Sequence, residues 1–274
     1  YERPSYSHFT SMAYWHTGAP NGGDEFGWMG RTADVMRSKQ AEDMIINVGS
    51  TQSLAVKSAI HTPLVFDDPM RFQRSYWMNQ VDFSSSEEPS YKSSNHEFLK
   101  AVDVSAKSSA RRIRKAWSDY ETNVDYGIVP MDLPKVASCI DAGLETQLYH
   151  VSFRNNAFDT HVQQPNLHRR LLSYASDAIF GFVNDLKRLG HADRVVVMVY
   201  SEFGRRVPEN ANLGTDHGSA NNMFFIGNRV NGGHYGVLPS LVNLIDSGNL
   251  AFTTDFRQVY ATAIEDWLKV DSKK

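Results

Sequence analysis

The chain has 274 residues, of which 41% are apolar and 22% charged, with a formal net charge of −3. This is an ordinary globular balance, enough for one large α/β domain or two small ones around a sizeable core. Nothing in it points to a polyanionic partner, and no apolar run approaches a membrane span. The single cysteine, Cys139, excludes an intramolecular disulfide and a cysteine-based zinc site.

The first element is a short helix over 7–16, with Ser7 as a candidate N-cap. A turn-rich stretch, Gly18 to Asp24, separates it from a second helix that opens at Gly27-Trp-Met-Gly-Arg31 and runs to about Ser38. Met44–Val48 and Leu64–Phe66 read as strands, and the Ser-rich segment 83–95 as a surface loop. Over 96–120, Phe98, Val102, Ala106, Ala110, Ile113 and Trp117 recur at helical spacing. The basic residues Arg111, Arg112, Arg114 and Lys115 late in that helix suit the helix dipole and water rather than nucleic acid.

Leu148–Val151 is a strand, and a long helix capped by Asn166 and closed by Gly190 follows. Val195–Tyr200 is a continuous apolar run of the kind found in strands covered on both faces in parallel sheets. Met223–Ile226 is another strand. Asp255 opens a last helix with Val259, Ala263, Ile264 and Trp267 on its buried side. This alternation predicts an α/β fold with a mostly parallel, doubly wound sheet.

Three polar clusters follow predicted strands, where open α/β sheets place their sites. In Phe158-Asp-Thr-His161, Asp159 and His161 stand two apart and can share a metal; the alternative is a loop Asp and a loop His that bind nothing. In Ser201-Glu-Phe-Gly-Arg-Arg206, Glu202 needs a cation, either a metal or Arg205. A metal there releases Arg205 or Arg206 to hold an anion. In Gly214-Thr-Asp-His-Gly218, the glycines predict a tight turn exposing Asp216 and His217 as ligands, or else an ordinary turn closed by an Asx bond. Carboxylates with imidazoles suit Zn²⁺ or Mn²⁺, with Mg²⁺ or Ca²⁺ where oxygen dominates. Ser7, at a helix N-terminus, is either a simple cap or a nucleophile facing an anionic ester. His234 sits in a flexible loop where it can line the cleft, and His150, His168 and Cys139 read as structural.

These segments, with Ser7-His-Phe9, Gly27–Arg31, Glu209-Asn210, Gly232-Gly233, Tyr235-Gly236 and Asp255-Phe-Arg257, run through the whole chain. In this order they resemble the bacterial family known as domain of unknown function fifteen-oh-one, grouped with the alkaline phosphatase and sulfatase superfamily. The resemblance implies an alkaline-phosphatase-like fold: a central, mostly parallel sheet, helices on both faces, and metals at the strand ends. It implies a metal-dependent hydrolase of phosphate or sulfate esters, with Ser7 as nucleophile and Thr10 or Ser11 in reserve. Arg205 would hold the anion, and Asp159, His161, Glu202, Asp216 and His217 the metal. It also implies a periplasmic or envelope location and, as partner, a small anionic ester or a sulfated or phosphorylated glycan. Relatives carry Asp-His where Glu202-Phe203 stands here, so one metal is expected where they hold two. Starting at Tyr1, the chain reads as a fragment or processed form lacking a first strand and its metal-binding turn. A non-catalytic metal- or glycan-binding protein on the same fold is the competing expectation.

Overall fold

The computed structural model describes residues 1, 3–36, 43–71, 94–153 and 156–273, with the side chains of 94–106 outside the description. The expected loop falls mostly outside it, as does the end of the second helix; Ser94 and Asn95 already belong to a helix.

The elements in chain order are α1 (His8–Thr17), α2 (Trp28–Met36), β1 (Ile45–Val48), β2 (Leu64–Phe66), α3 (Ser94–Asp119), α4 (Leu133–Asp141), β3 (Leu148–Val151), α5 (Gln164–Arg188), β4 (Val197–Val199), β5 (Gly204–Arg205), β6 (His217–Gly218), β7 (Phe224–Ile226) and α6 (Phe256–Thr262). Three strands form a parallel sheet in the order β2-β1-β3. β4 pairs with β7, and β5 with β6, both antiparallel.

The core lies on the two faces of this sheet. On one, Ile45 and Leu148 pack with Trp15 of α1, Trp28 and Met29 of α2, and Phe256 and Tyr260 of α6. Its aromatic stack is tight: Trp15 lies 4.3 Å from Phe256 and Trp28 4.5 Å from Tyr260, centroid to centroid. On the other, Ile46 and Val48 pack with Ile113 of α3, Val136 and Ile140 of α4, and Phe182 and Leu186 of α5. Alternation of side chains along each strand accounts for this division. The fold is therefore α/β, with a small parallel sheet and helices on both faces.

Several expectations change. Val195–Tyr200 is shorter as a strand, half-buried, and antiparallel to β7 instead of joining the parallel sheet. Its apolar run still divides between the two faces, Val195 and Val197 meeting one cluster and Met198 and Tyr200 the other. α5 begins before Asn166. Its capping acceptors come from elsewhere in the chain, because the Gln163 and Gln164 amides donate to the carbonyls of Asn212 and Leu213, both at 2.9 Å. In α6 the buried residues are Phe256 and Tyr260, and Val259, Ala263, Ile264 and Trp267 are only partly covered. A π-helical turn spans Ala263–Trp267, and within it Ile264 still packs against the core. Cys139 is buried, and burial pushes its thiol up to about 12.

The Gly27–Arg31 segment has a structural role. A Cβ on Gly27 would stand 2.0 Å from the Leu54 carbonyl oxygen, so only glycine lets α2 meet that loop. Arg31 ties the turn by donating to Asp24, Phe26 O and Thr17 O.

Candidate metal centre

Asp159 is the hub. Its Oδ1 lies 2.9 Å from His161 Nε2, 2.9 Å from His217 Nε2 and 2.8 Å from Arg205 Nη2, and its Oδ2 lies 3.1 Å from His8 Nε2. The two imidazole nitrogens are 2.9 Å from each other. Burial would raise the Asp159 pKa, but the bonds from His217, Arg205 and His8 outweigh it and hold the carboxyl far below its usual range.

Local structure explains this convergence. Asp159 and His161 sit in successive tight turns after β3, their amides bonding to the Asn156 and Asp159 carbonyls, not in an extended segment. His217 lies in β6 directly opposite Arg205 of β5, which sets the two side chains on one face. The expected turn is thus a strand, and its adjacent residues diverge. His217 points inward with a side chain 15% exposed, while Asp216 is 51% exposed and, of the cluster's imidazoles, approaches His161 Nδ1, at 3.5 Å. Asn210 positions Asp216, donating to its Oδ1 at 3.1 Å, and this bond lowers the Asp216 pKa. Gly214 packs against His161, where a Cβ would stand 2.1 Å from the carbonyl oxygen.

The donor set fits a cation. His217 Nδ1 faces the Tyr6 carbonyl at 2.7 Å, an acceptor that requires the proton on Nδ1 and leaves Nε2 bare in the neutral ring. His161 Nδ1 faces Asp216 in the same sense. Two lone pairs and a carboxylate oxygen then meet in a triangle with 2.9 Å edges. At most one proton per ring nitrogen is available, and no assignment makes all three edges attractive. A cation bound to all three removes the conflict, with bonds of about 2.0–2.2 Å typical for such ligands.

His8 is the site residue that the sequence did not single out as a ligand. Its Nδ1 lies 2.7 Å from Glu202 Oε1. Burial would lower its pKa, yet the Glu202 and Asp159 carboxylates leave it raised; Nδ1 is hydrogen-bonded to Glu202, while the buried Nε2 lies in charge contact with Asp159 without a well-aligned hydrogen bond among the described residues. His8, Asp159 and His217 also bring one donor atom each to within 4.8 Å of one another. Glu202 therefore pairs with His8, not Arg205. Arg205 instead donates to Thr215 O, Phe158 O and Asp159. The buried Arg206 Nε has no partner among the described residues. Phe203 stacks on His217 with 4.2 Å between centroids and covers one side of the cluster.

Ser7 caps α1 in extended geometry, but its side chain makes no capping bond and is exposed next to His8. Thr10 is exposed, and Ser11 is buried and donates to the Ser5 carbonyl. His150 is buried, His168 packs edge-on against Phe158, and His234 is exposed.

His8, Asp159, Glu202 and Arg205 border a cavity of about 1560 Å³. No helix among the described residues is long and apolar enough to cross a membrane. No curated protein and no solved structure matches the chain. One family model does, over residues 2–273, and it is described as "Protein of unknown function (DUF1501)". Because that match spans nearly every residue and the motifs it covers are those that build the cluster and its supports, the chain belongs to this family.

Proposed function

We propose that the protein is a metal-dependent hydrolase of phosphate or sulfate esters, on an alkaline-phosphatase-like fold with a larger central sheet than the three parallel strands. The observation that carries this reading is the triangle of Asp159 Oδ1, His161 Nε2 and His217 Nε2, three donor atoms close enough to share one cation. Asp159, His161 and His217 would hold Zn²⁺ or Mn²⁺, with Mg²⁺ or Ca²⁺ as weaker occupants of a nitrogen-rich site. The metal, when bound, supplies Lewis-acid stabilisation of negative charge on an ester oxygen.

The chain's own groups do the rest. Ser7 presents its hydroxyl at the N-terminus of α1, where unpaired helix amides favour an anion. Arg205, fixed by Thr215 O and Phe158 O, holds positive charge beside the cluster. Asp216 and the Tyr6 carbonyl orient the two imidazoles. Glu202 acts through His8, holding it against Asp159. Phe203 in place of an imidazole supports one metal where two are usual. The same feature favours the second reading, a non-catalytic metal- or glycan-binding protein. Location in the periplasm or envelope and an anionic ester or glycan partner complete the proposal.

The test is turnover of aryl phosphates and aryl sulfates by the protein loaded with Zn²⁺ or Mn²⁺, against Asp159→Ala. We expect turnover that the variant lacks. Metal binding without turnover across the panel selects the second reading.

A further inference from the structure

The 1560 Å³ cavity has an unusual wall. Residues 146–153 border it without a gap, and so do residues 193–205. A cavity facing the flat of a strand touches alternate residues. One bordered by every residue of β3 and β4 faces their edges. β3 is bonded to β1 along one edge only, and β4 to β7 along one edge only. Among the described residues, no other backbone hydrogen bond is made by 149–151 or 196–200.

β4 also lies in the layer of the parallel sheet. Tyr149 and Val151 of β3 meet the same core cluster as Val195 and Val197, and Leu148 meets the same opposite cluster as Met198 and Tyr200. The cavity is therefore a slot in the plane of the sheet, between two strands that share both faces. Leu172, Ile179 and Phe182 of α5 roof it on one side, and His16 of α1 with Trp28 and Met29 of α2 on the other.

Protein interiors rarely keep apolar voids much larger than a water molecule, and buried backbone N–H and C=O groups are nearly always paired. A small apolar ligand would fill the volume and leave two rows of backbone groups unmet. An extended polypeptide meets both demands. We propose that the slot is a strand-docking site that takes one apolar β-strand, bonded to β3 on one edge and β4 on the other. The occupant is a peptide strand of about four to six residues, matching β3 at ~3.3 Å per residue. Its side chains are apolar at successive positions, because both faces of the slot are apolar. Asp159, Glu202 and Arg205 border the same cavity, so the occupant would share its space with part of the cluster. The inference is independent of any hydrolase activity.

The test is hydrogen exchange at the amides of 149–151 and 197–199. It compares the chain alone with the chain joined through a Gly/Ser linker of about 20 residues, ~25 Å in mean span, to Val-Leu-Val-Ile-Val. The control joins Val-Pro-Val-Pro-Val, whose second and fourth residues have no N–H, so that it cannot donate to both edges at once. The expected result is exchange slowed at least about tenfold at both edges by the apolar strand and not by the control. Where the chain alone unfolds without a cooperative transition, the apolar strand and not the control is expected to restore one. Edges already protected in the chain alone, or equal behaviour of strand and control, would overturn the proposal.

Discussion

His150 and His16 make stability sensitive to mild acid. Both rings face Ser53, whose hydroxyl lies 3.4 Å from His150 Nε2 and 3.4 Å from His16 Nδ1. Burial pushes each down to about 4, with His150 adding a repulsive contribution at His16. In the unfolded chain both return to about 6.5. Between those values the unfolded state binds more protons, so stability is full above pH 6.5 and is lost as pH falls toward 4. At pH 5 the gap of about 1.5 units corresponds to roughly 2 kcal/mol for His150, and to less for the partly exposed His16. His150→Gln keeps a polar partner for Ser53 and removes the titration. Urea unfolding at pH 7, 6 and 5 should show the wild-type protein losing about 2 kcal/mol more than the variant over that range. Identical pH slopes would refute the reasoning. Comparing slopes also separates this effect from His8, whose raised pKa acts in the opposite direction and is common to both proteins.

Two further substitutions probe the frame and the site. The Asp185 side chain has no exposed surface and accepts bonds from Tyr120, Tyr126 at 2.8 Å, Thr122 at 3.0 Å and Arg188 at 2.7 Å. Asp185→Ala strands these donors and should cost about 3–5 kcal/mol in chemical denaturation. Gly214→Ala drives a Cβ into the His161 carbonyl. It should lower stability by about 1–3 kcal/mol and weaken Zn²⁺ binding by calorimetry, whereas Gly23→Ala, which meets no neighbour within 4 Å, should leave binding unchanged.

The sequence was a good guide where the signal is local. Apolar periodicity located β1, β2, β3 and the long helices, and the Asp255 cap is present, accepting from the Arg257 amide. Asp159 and His161 do meet as the sequence suggested, but through successive tight turns and not through the extended spacing on which that expectation rested. His8 was not legible, because its partners Asp159 and Glu202 lie over 150 residues away and nothing in Ser7-His-Phe9 distinguishes a ligand from a first-turn histidine. The opposite fates of Asp216 and His217 were hidden for a related reason. Of the glycines that suggested a turn, Gly218 is needed for the close β5–β6 pairing, where a Cβ would stand 2.4 Å from the Arg205 carbonyl carbon, and Gly214 for the approach to the His161 carbonyl. The apolar run of β4 correctly signalled two covered faces but carried no information on which strand pairs with it.

The most direct test of the account is metal stoichiometry after loading with Zn²⁺ or Mn²⁺ and desalting, by mass spectrometry, for the wild-type protein and three variants. The account predicts about one equivalent in the wild type, loss of it in Asp159→Ala and His217→Ala, and retention in Asp216→Ala, whose carboxylate only orients His161. A wild-type protein that retains no metal, or one that retains it equally in Asp159→Ala and His217→Ala, would contradict the metal centre and reduce the cluster to a network of polar side chains.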